Sequence, residues 1–350
     1  MRGTSYRFGV CLLAFGLVVG APQASAQTAS NDKPKPVGRI LKLEELSFTD
    51  IDRIDRAKSI FFLTFGNLEE HGPQNPIGSD YFQAIGLRNG LVARLRAKHP
   101  DYTLVIVPVV PLGEGGANEL AGQPEHIGTF PVRFETLRNV AVDLGATIAR
   151  KGFQNILLIH FHGVPLHCMA FSDAAAFVSQ RYKTRMVDVT SLVFGEGFYS
   201  GKVMEKYLGK GWEERIGIES HAGAAETSVN LYLHGELVKP DYRKLHPFVA
   251  KDLVEFAHTS ERTGWQGYWG DPAKASRALG RDLMNDFVER GFRIAEKALA
   301  GEDLSKLPVF PNNLPPMREV TDFVQKSLQN YAQQATEIDA WLKARHSGAP

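Results

Sequence analysis

Three things are scarce in this chain of 350 residues. The first is cysteine: there are two, Cys11 and Cys168. Cys11 falls inside an N-terminal apolar run, so the remainder keeps one thiol and cannot close an intramolecular disulfide. The second is excess charge. Lys+Arg at 40 against Asp+Glu at 39 leave a formal net charge of +1. That balance argues against a nucleic-acid or membrane-surface partner, since either attracts a basic patch before anything more specific. The third is apolar length. Beyond the N-terminal run no stretch is long enough to cross a membrane, and no internal repeat is present. Stability must then come from an ordinary core, which a chain of roughly 320 residues supplies readily.

The N-terminal run has its own grammar. Arg2 and Arg7 precede FGVCLLAFGLVVGA, and Ala24-Ser25-Ala26 stand before Gln27. A basic start, a short apolar core and a small-residue cleavage site spell a secretory signal peptide over residues 1–26. The mature chain is expected to be periplasmic or secreted; a retained anchor is the alternative. Its loss removes two arginines and no acid, so the mature chain stays near neutral. Residues 27–38 are a polar, Pro-rich lead-in.

From residue 59 the pattern alternates. SIFFLTFG, YTLVIVPVVPLG, NILLIHFHG and TRMVDVTSLVF read as strands apolar on both faces. SDYFQAIGLRNGLVARLRAKH, VRFETLRNVAVDLGATIARKG and PLHCMAFSDAAAFVSQRYK read as the helices between them, the last opened by Pro165. Such alternation predicts an α/β fold, a three-layer α/β/α sandwich around a mostly parallel central sheet. Its chemistry belongs at the carboxyl ends of the strands. Further helices are expected in AAETSVNLYLHGELV and in the long stretch from Asp271 to Gly301. A main domain over 27–305 is then followed by a Pro-rich connector and a last amphipathic helix within 306–350, packed on the body or on a neighbouring subunit.

The chemistry-bearing stretch is FFLTFGNLEEHGPQNPIGSDYF, residues 61–82, where an apolar strand runs out into Glu69, Glu70, His71 and then Asp80. Ionisable groups buried without partners are costly. Strand alternation puts Glu69 and His71 on one face and Glu70 on the other, and it likewise pairs His160 with His162. A third cluster, GIESHAGAAETSVN, carries His221 and Glu226. Each has an ordinary explanation: a solvated loop, strand-end histidines bonded to carbonyls, an acid in the first turn of a helix. Three Gly-flanked clusters together favour a metal site, and imidazole mixed with carboxylate suits Zn, Mn or Fe better than Ca or Mg.

Over most of residues 40–300 the chain resembles the creatininase (creatinine amidohydrolase) family. Gly66, Glu69, His71, Gly72, Pro73, Pro76 and Asp80 match its first motif, and His221 to Ser228 its His-Ala-Gly-x-x-Glu-Thr-Ser element. Gly267, Gly270, Asp271 and Pro272 match a later signature, and Gly128-Thr129 a short turn. The resemblance implies two divalent metal ions per subunit, Zn and/or Mn. One would be held by Glu69, Asp80 and His162, the other by His71, Asp80 and Glu226, with Asp80 shared. His221 would be the catalytic histidine, shuttling a proton or polarising the carbonyl. The implied activity is hydrolysis of a C–N bond, other than an ordinary peptide bond, in a small cyclic or linear amide or lactam by a metal-bridging hydroxide. The implied assembly is a homo-oligomer, a hexamer as in relatives.

The chain also departs from the family pattern. Val164 stands where creatininase has a Glu acid/base, Pro165 and His160 replace two asparagines, and Gln74 replaces a histidine. His160 and His167 are therefore candidates for the missing proton chemistry, and with Trp265 and Trp269 for the substrate pocket. A packed aromatic corner is the other explanation for the two tryptophans. Cleavage of a peptide, formamide or lactone bond is the alternative enzyme reading. A periplasmic metal- or ligand-binding protein without catalysis is the non-enzyme one.

Overall fold

In the computed structural model, residues 38–120, 127–259, 262–314 and 317–347 are described. The expected signal peptide, 1–26, lies outside them. Five strands run parallel in one sheet: β1 (Ile40–Lys42), β2 (Ser59–Thr64), β3 (Thr103–Ile106), β4 (Asn155–Ile159) and β5 (Arg185–Asp188). Their order is β1-β3-β2-β4-β5. From β2 the chain moves out to β3 on one side, then crosses back to β4 on the other. The connection reverses at β2 and β4, which is where an open α/β sheet leaves a crevice beyond its carboxyl ends.

Alternation along the strands divides the core in two. Ile60, Phe62, Leu104, Leu157 and Ile159 face one layer, with Leu87, Leu91, Leu283 and Phe287 of the helices Ser79–Lys98 and Arg277–Leu299. Phe61, Leu63, Val105, Ile156 and Leu158 face the other, with Leu137, Ala141, Phe171 and Val178 of the helices Phe134–Arg150 and Pro165–Tyr182. All six residues of β2 are buried, as expected for a central strand covered on both sides. The three-layer arrangement read from the sequence is the one observed.

Three boundaries differ from expectation. The stretch TRMVDVTSLVF is a strand only to Asp188, whose carboxylate accepts a hydrogen bond from the Ser191 backbone N–H at 3.1 Å and caps a helix Val189–Gly195. The helix expected from Asp271 begins at Arg277, because Ser276 caps it after a single tight turn at Pro272–Lys274. β1, short and at the edge, had no legible pattern. Among the described residues no helix is long and apolar enough to cross a membrane.

The last helix, Arg318–Ser347, packs on its own chain: Val324, Leu328 and Tyr331 join the second core layer, and the Tyr331 hydroxyl donates to Glu114 Oε1 at 2.7 Å. Burial pushes the Glu114 carboxyl up to about 8.

The helices Ala224–His234 and Arg277–Leu299 touch backbone to backbone, since a Cβ at Gly280 would come within 1.8 Å of the Ser228 carbonyl oxygen. Gly280→Ala should therefore destabilise the protein by about 1–3 kcal/mol, the usual cost of overpacking a core. A denaturant midpoint unchanged from wild type would show that the two helices are free to separate.

Candidate metal centre

β2 ends at Thr64, and its exit loop turns back against the start of the helix Ser79–Lys98. Contact there is close: a Cβ at Gly66 would lie 2.7 Å from the Tyr81 Cα. This brings Asp80, in the helix's first turn, beside Glu69 and His71. The positive end of the helix favours an acid at that place. His162 arrives from the exit of β4. Glu226 arrives in the first turn of the helix Ala224–His234, with Oε2 accepting from the Ala222 N–H at 2.6 Å.

The five side chains converge. His162 Nδ1 lies 2.9 Å from Glu69 Oε2 and 3.0 Å from Asp80 Oδ2. His71 Nε2 lies 3.4 Å from Asp80 Oδ1 and 3.5 Å from Glu226 Oε2. The two oxygens of Asp80 thus face two different sets of donors. Glu69–Asp80–His162 and His71–Asp80–Glu226 each bring three donor atoms within 4.8 Å of one another, and so does Glu69–His71–His221. Among the described residues these are all the clusters of that kind.

Burial is nearly complete, with Glu69, His71 and Asp80 at most 1% exposed. Glu69 Oε2, His71 Nε2 and Asp80 Oδ2 are buried, and beyond the close approaches just described none makes a well-directed hydrogen bond. Orphaned polar atoms are expensive in a protein interior. Here they form a donor set of the mixed nitrogen and oxygen kind that divalent transition metals take, so these residues fit such ions.

Outer contacts hold the donors in place. His71 Nδ1–H donates to the Glu69 carbonyl at 3.0 Å, which leaves Nε2 facing the cluster. Glu69 Oε1 accepts from the Ala117 N–H at 2.5 Å. Burial works against charge on His71, but Asp80 and Glu226 outweigh it and push its pKa up to about 10. Burial opposes charge on Asp80 too, yet His71 and His162 hold it well below the usual carboxylate range. Without cations, then, the imidazoles themselves supply the positive charge that the acids need.

His221 lies beside this cluster. Its Nε2 is 2.8 Å from the Glu70 carbonyl and its Nδ1 3.9 Å from Glu69 Oε1 and 4.0 Å from Glu226 Oε2. In the neutral ring Nε2–H donates to that carbonyl and the Nδ1 lone pair faces the donors. Glu70 does lie outside the donor clusters, although β2 has ended at Thr64 and the loop path, not strand alternation, turns it away. Its carboxylate accepts from the Gly72 N–H at 3.0 Å and lies 3.6 Å from His221 Nε2. Gln74, in place of a histidine, donates to the Ala222 carbonyl at 2.8 Å and ties the first loop to the third.

The four residues expected in the substrate pocket are placed elsewhere. His160 is buried with Nε2 3.1 Å from Asp188 Oδ1, because it lies under the sheet end rather than at the mouth. His167 is fully buried and its Nδ1 accepts from the Glu114 N–H at 3.1 Å; burial, with His162 and His160 nearby, keeps it neutral. Trp269 is fully buried, stacked on Phe256 at 4.5 Å and edge-on to His221 at 5.7 Å. Trp265 donates to the Tyr268 carbonyl and packs on Trp269. The tryptophans form the packed corner behind the wall. The cavity over the donors, about 40 Å³, is walled instead by Val164, Phe198, Tyr199 and Phe256. Phe198-Tyr199, an aromatic pair in the Gly/Ser-rich turn GEGFYSG, was the available signal for that wall.

A sequence profile described as creatinine amidohydrolase matches residues 44–294. The chain belongs to the creatininase family. That membership places it among amidohydrolases, and the donor cluster gives it residues able to hold metal ions. It is 22% identical over 262 residues to the mycofactocin precursor peptide peptidase of Mycobacterium ulcerans, across 72% of this chain and 90% of that protein. A creatininase variant complexed with creatine shares its fold at a TM-score of 0.56 and 18% identity, over 74% of this chain and 98% of that one. A creatinine amidohydrolase homologue from Bacteroides fragilis does so at 0.53 and 19%, over 76% and 98%. Structures named for manganese and for a zinc pair are among the similar creatininases.

Elemental analysis of this family member should show a graded loss. Asp80→Ala should empty the whole cluster, whereas Glu226→Ala and His162→Ala should each weaken one half. Glu70→Ala should leave metal content largely intact. Equal losses from Glu69→Ala and Glu70→Ala would contradict the placement described above.

Proposed function

We infer that this chain is an exported, binuclear metal-dependent amidohydrolase that cleaves a C–N bond in a small cyclic or linear amide. The observation that carries the inference is Asp80, whose two oxygens face separate histidine–glutamate pairs. Glu69, Asp80 and His162 would hold one divalent ion, and His71, Asp80 and Glu226 the other, with Zn or Mn as the ions. When bound, such ions supply a water of lowered pKa and an electrophilic contact for the carbonyl.

The residues do the rest. Phe198, Tyr199 and Phe256 wall the cavity and exclude bulk water, which strengthens every charge interaction inside. His221 turns Nδ1 toward the donors while the Glu70 carbonyl holds its other nitrogen, so it is oriented to carry a proton to the departing nitrogen. Val164 offers no proton, and neither His160 nor His167 reaches the cavity. Burial holds the Tyr199 hydroxyl well above its usual range, so His221 is the titrating group left for the task. A peptide C–N bond is the second reading, favoured by the similarity to the mycofactocin precursor peptide peptidase.

Export rests on the leader over residues 1–26, and homo-oligomeric assembly on the family resemblance. N-terminal sequencing of exported protein should begin at Gln27; protein beginning at Met1 would remove the export claim.

His221→Ala should lower turnover roughly 10²–10⁴-fold, the worth of general acid–base catalysis, with both metals retained. The measurement is turnover and metal content on the amide that the wild type cleaves from a panel of cyclic amides, formamides and peptides. Near-normal turnover at full metal occupancy would rule out the proton role, and lost metal would make His221 a ligand.

A further inference from the structure

The space over the donor cluster, about 40 Å³, admits an amide group and little else. Next to it lies a second cavity of about 200 Å³. The two share Gly163, Phe198, Ser220 and Phe256 as common walls, so the larger space adjoins the smaller. Its remaining surface is mainly apolar, and Phe310, Leu314 and Val320 complete it. These three residues lie beyond the 44–294 span that matches the family. The segment bearing Phe310 and Leu314 is fixed to the body: the Phe310 N–H donates to the Ser191 carbonyl at 3.0 Å, and Asn313 Nδ2 to the Gly195 carbonyl at 2.9 Å. Phe310 also packs edge-on against Phe198 at 4.9 Å.

We propose that the C-terminal extension builds an apolar specificity pocket beside the metal centre, which takes an aromatic or branched aliphatic substituent of the amide substrate. A substrate whose scissile bond sits at the donors must send the rest of its bulk into this space, and apolar walls reward an apolar group there. An anionic substituent is disfavoured. Glu319 stands on the pocket wall, while Glu219 is already committed, accepting from the Ala225 and Asp271 N–H groups at 3.0 and 3.2 Å. The polar remainder of a creatinine-sized molecule would leave the pocket empty. This deepens the function proposed above and rests on the metal-centre assignment.

The test uses the full-length mature protein loaded with Zn²⁺ and two hydroxamic acids that share one metal-binding head. Acetohydroxamic acid fills only the small cavity; phenylacetohydroxamic acid adds a benzyl group. Calorimetric titration should give a tighter dissociation constant for the second by roughly ten- to a hundredfold, the worth of burying one such group. Leu314→Asp, which puts a charge in the wall, and separately Ala257→Leu, which fills the space, should each bring that ratio to within about threefold. Two variants are used so that misfolding of one leaves the other readable, with zinc content as the check. Binding of acetohydroxamate without any gain from the benzyl group would overturn the pocket alone. A gain that survives both variants would place the substituent elsewhere and overturn it as well. Failure of both acids to bind the zinc-loaded protein would remove the metal-centre assignment and the pocket with it.

Discussion

Three carboxylates and three imidazoles share a volume that water barely enters, and this concentration of charge sets the terms for everything around it. Glu69, Asp80 and Glu226 are each less than a tenth exposed. Charges so placed must be paired, by protonated histidines or by bound cations. A donor set of this kind suits divalent ions, so the buried donor atoms of this cluster read as a candidate site rather than a defect of packing.

Holding that set together takes rigid support from distant parts of the chain. The donors come from the loops after β2 and β4 and from the first turns of the helices Ser79–Lys98 and Ala224–His234. The loop bearing Glu69 is tied to Ala117, the loop bearing His71 through Gln74 to Ala222, and His221 to the carbonyl of Glu70. Ala222 has a φ of 54°, an unusual and costly value for a residue with a Cβ. It persists because its N–H meets Glu226 and its carbonyl meets Gln74, so backbone strain is exchanged for the placement of a donor. The topology supplies the frame: the sheet's direction of travel reverses between β2 and β4, and their diverging exits leave the crevice where the donors meet.

The departures from the family pattern acquire physical meaning in the same setting. Pro165 occupies the first turn of its helix, where a missing N–H costs nothing, and Val164 immediately before it lies against the cavity. An apolar residue there removes a proton donor and extends the hydrophobic wall toward the space closed by Phe310 and Leu314. Loss of an acid and gain of apolar surface are thus one change. His160, which replaces an asparagine, is buried under the sheet end against Asp188.

Much of this was legible in the sequence, and the limits of that legibility are physical. Strands apolar on both faces announced a covered parallel sheet, because burial on two sides leaves no polar period. Glu69 and His71 do reach one cluster, but through the path of the loop beyond Thr64 and not through strand alternation, and motif order carried Asp80, His162 and Glu226. Local rules did not reach the rest. Where β5 stops was decided by one capping hydrogen bond from Asp188, and β1 forms only because β3 offers it an edge. Whether His160, His167, Trp265 and Trp269 face solvent, substrate or core depended on how separate elements came together, a long-range property with no local signature. The joining of the C-terminal extension to the site is the clearest case: Phe310 and Leu314 read as parts of a connector, and only the packing of that connector over the helix Val189–Gly195 brings them to the cavity beside the metal centre.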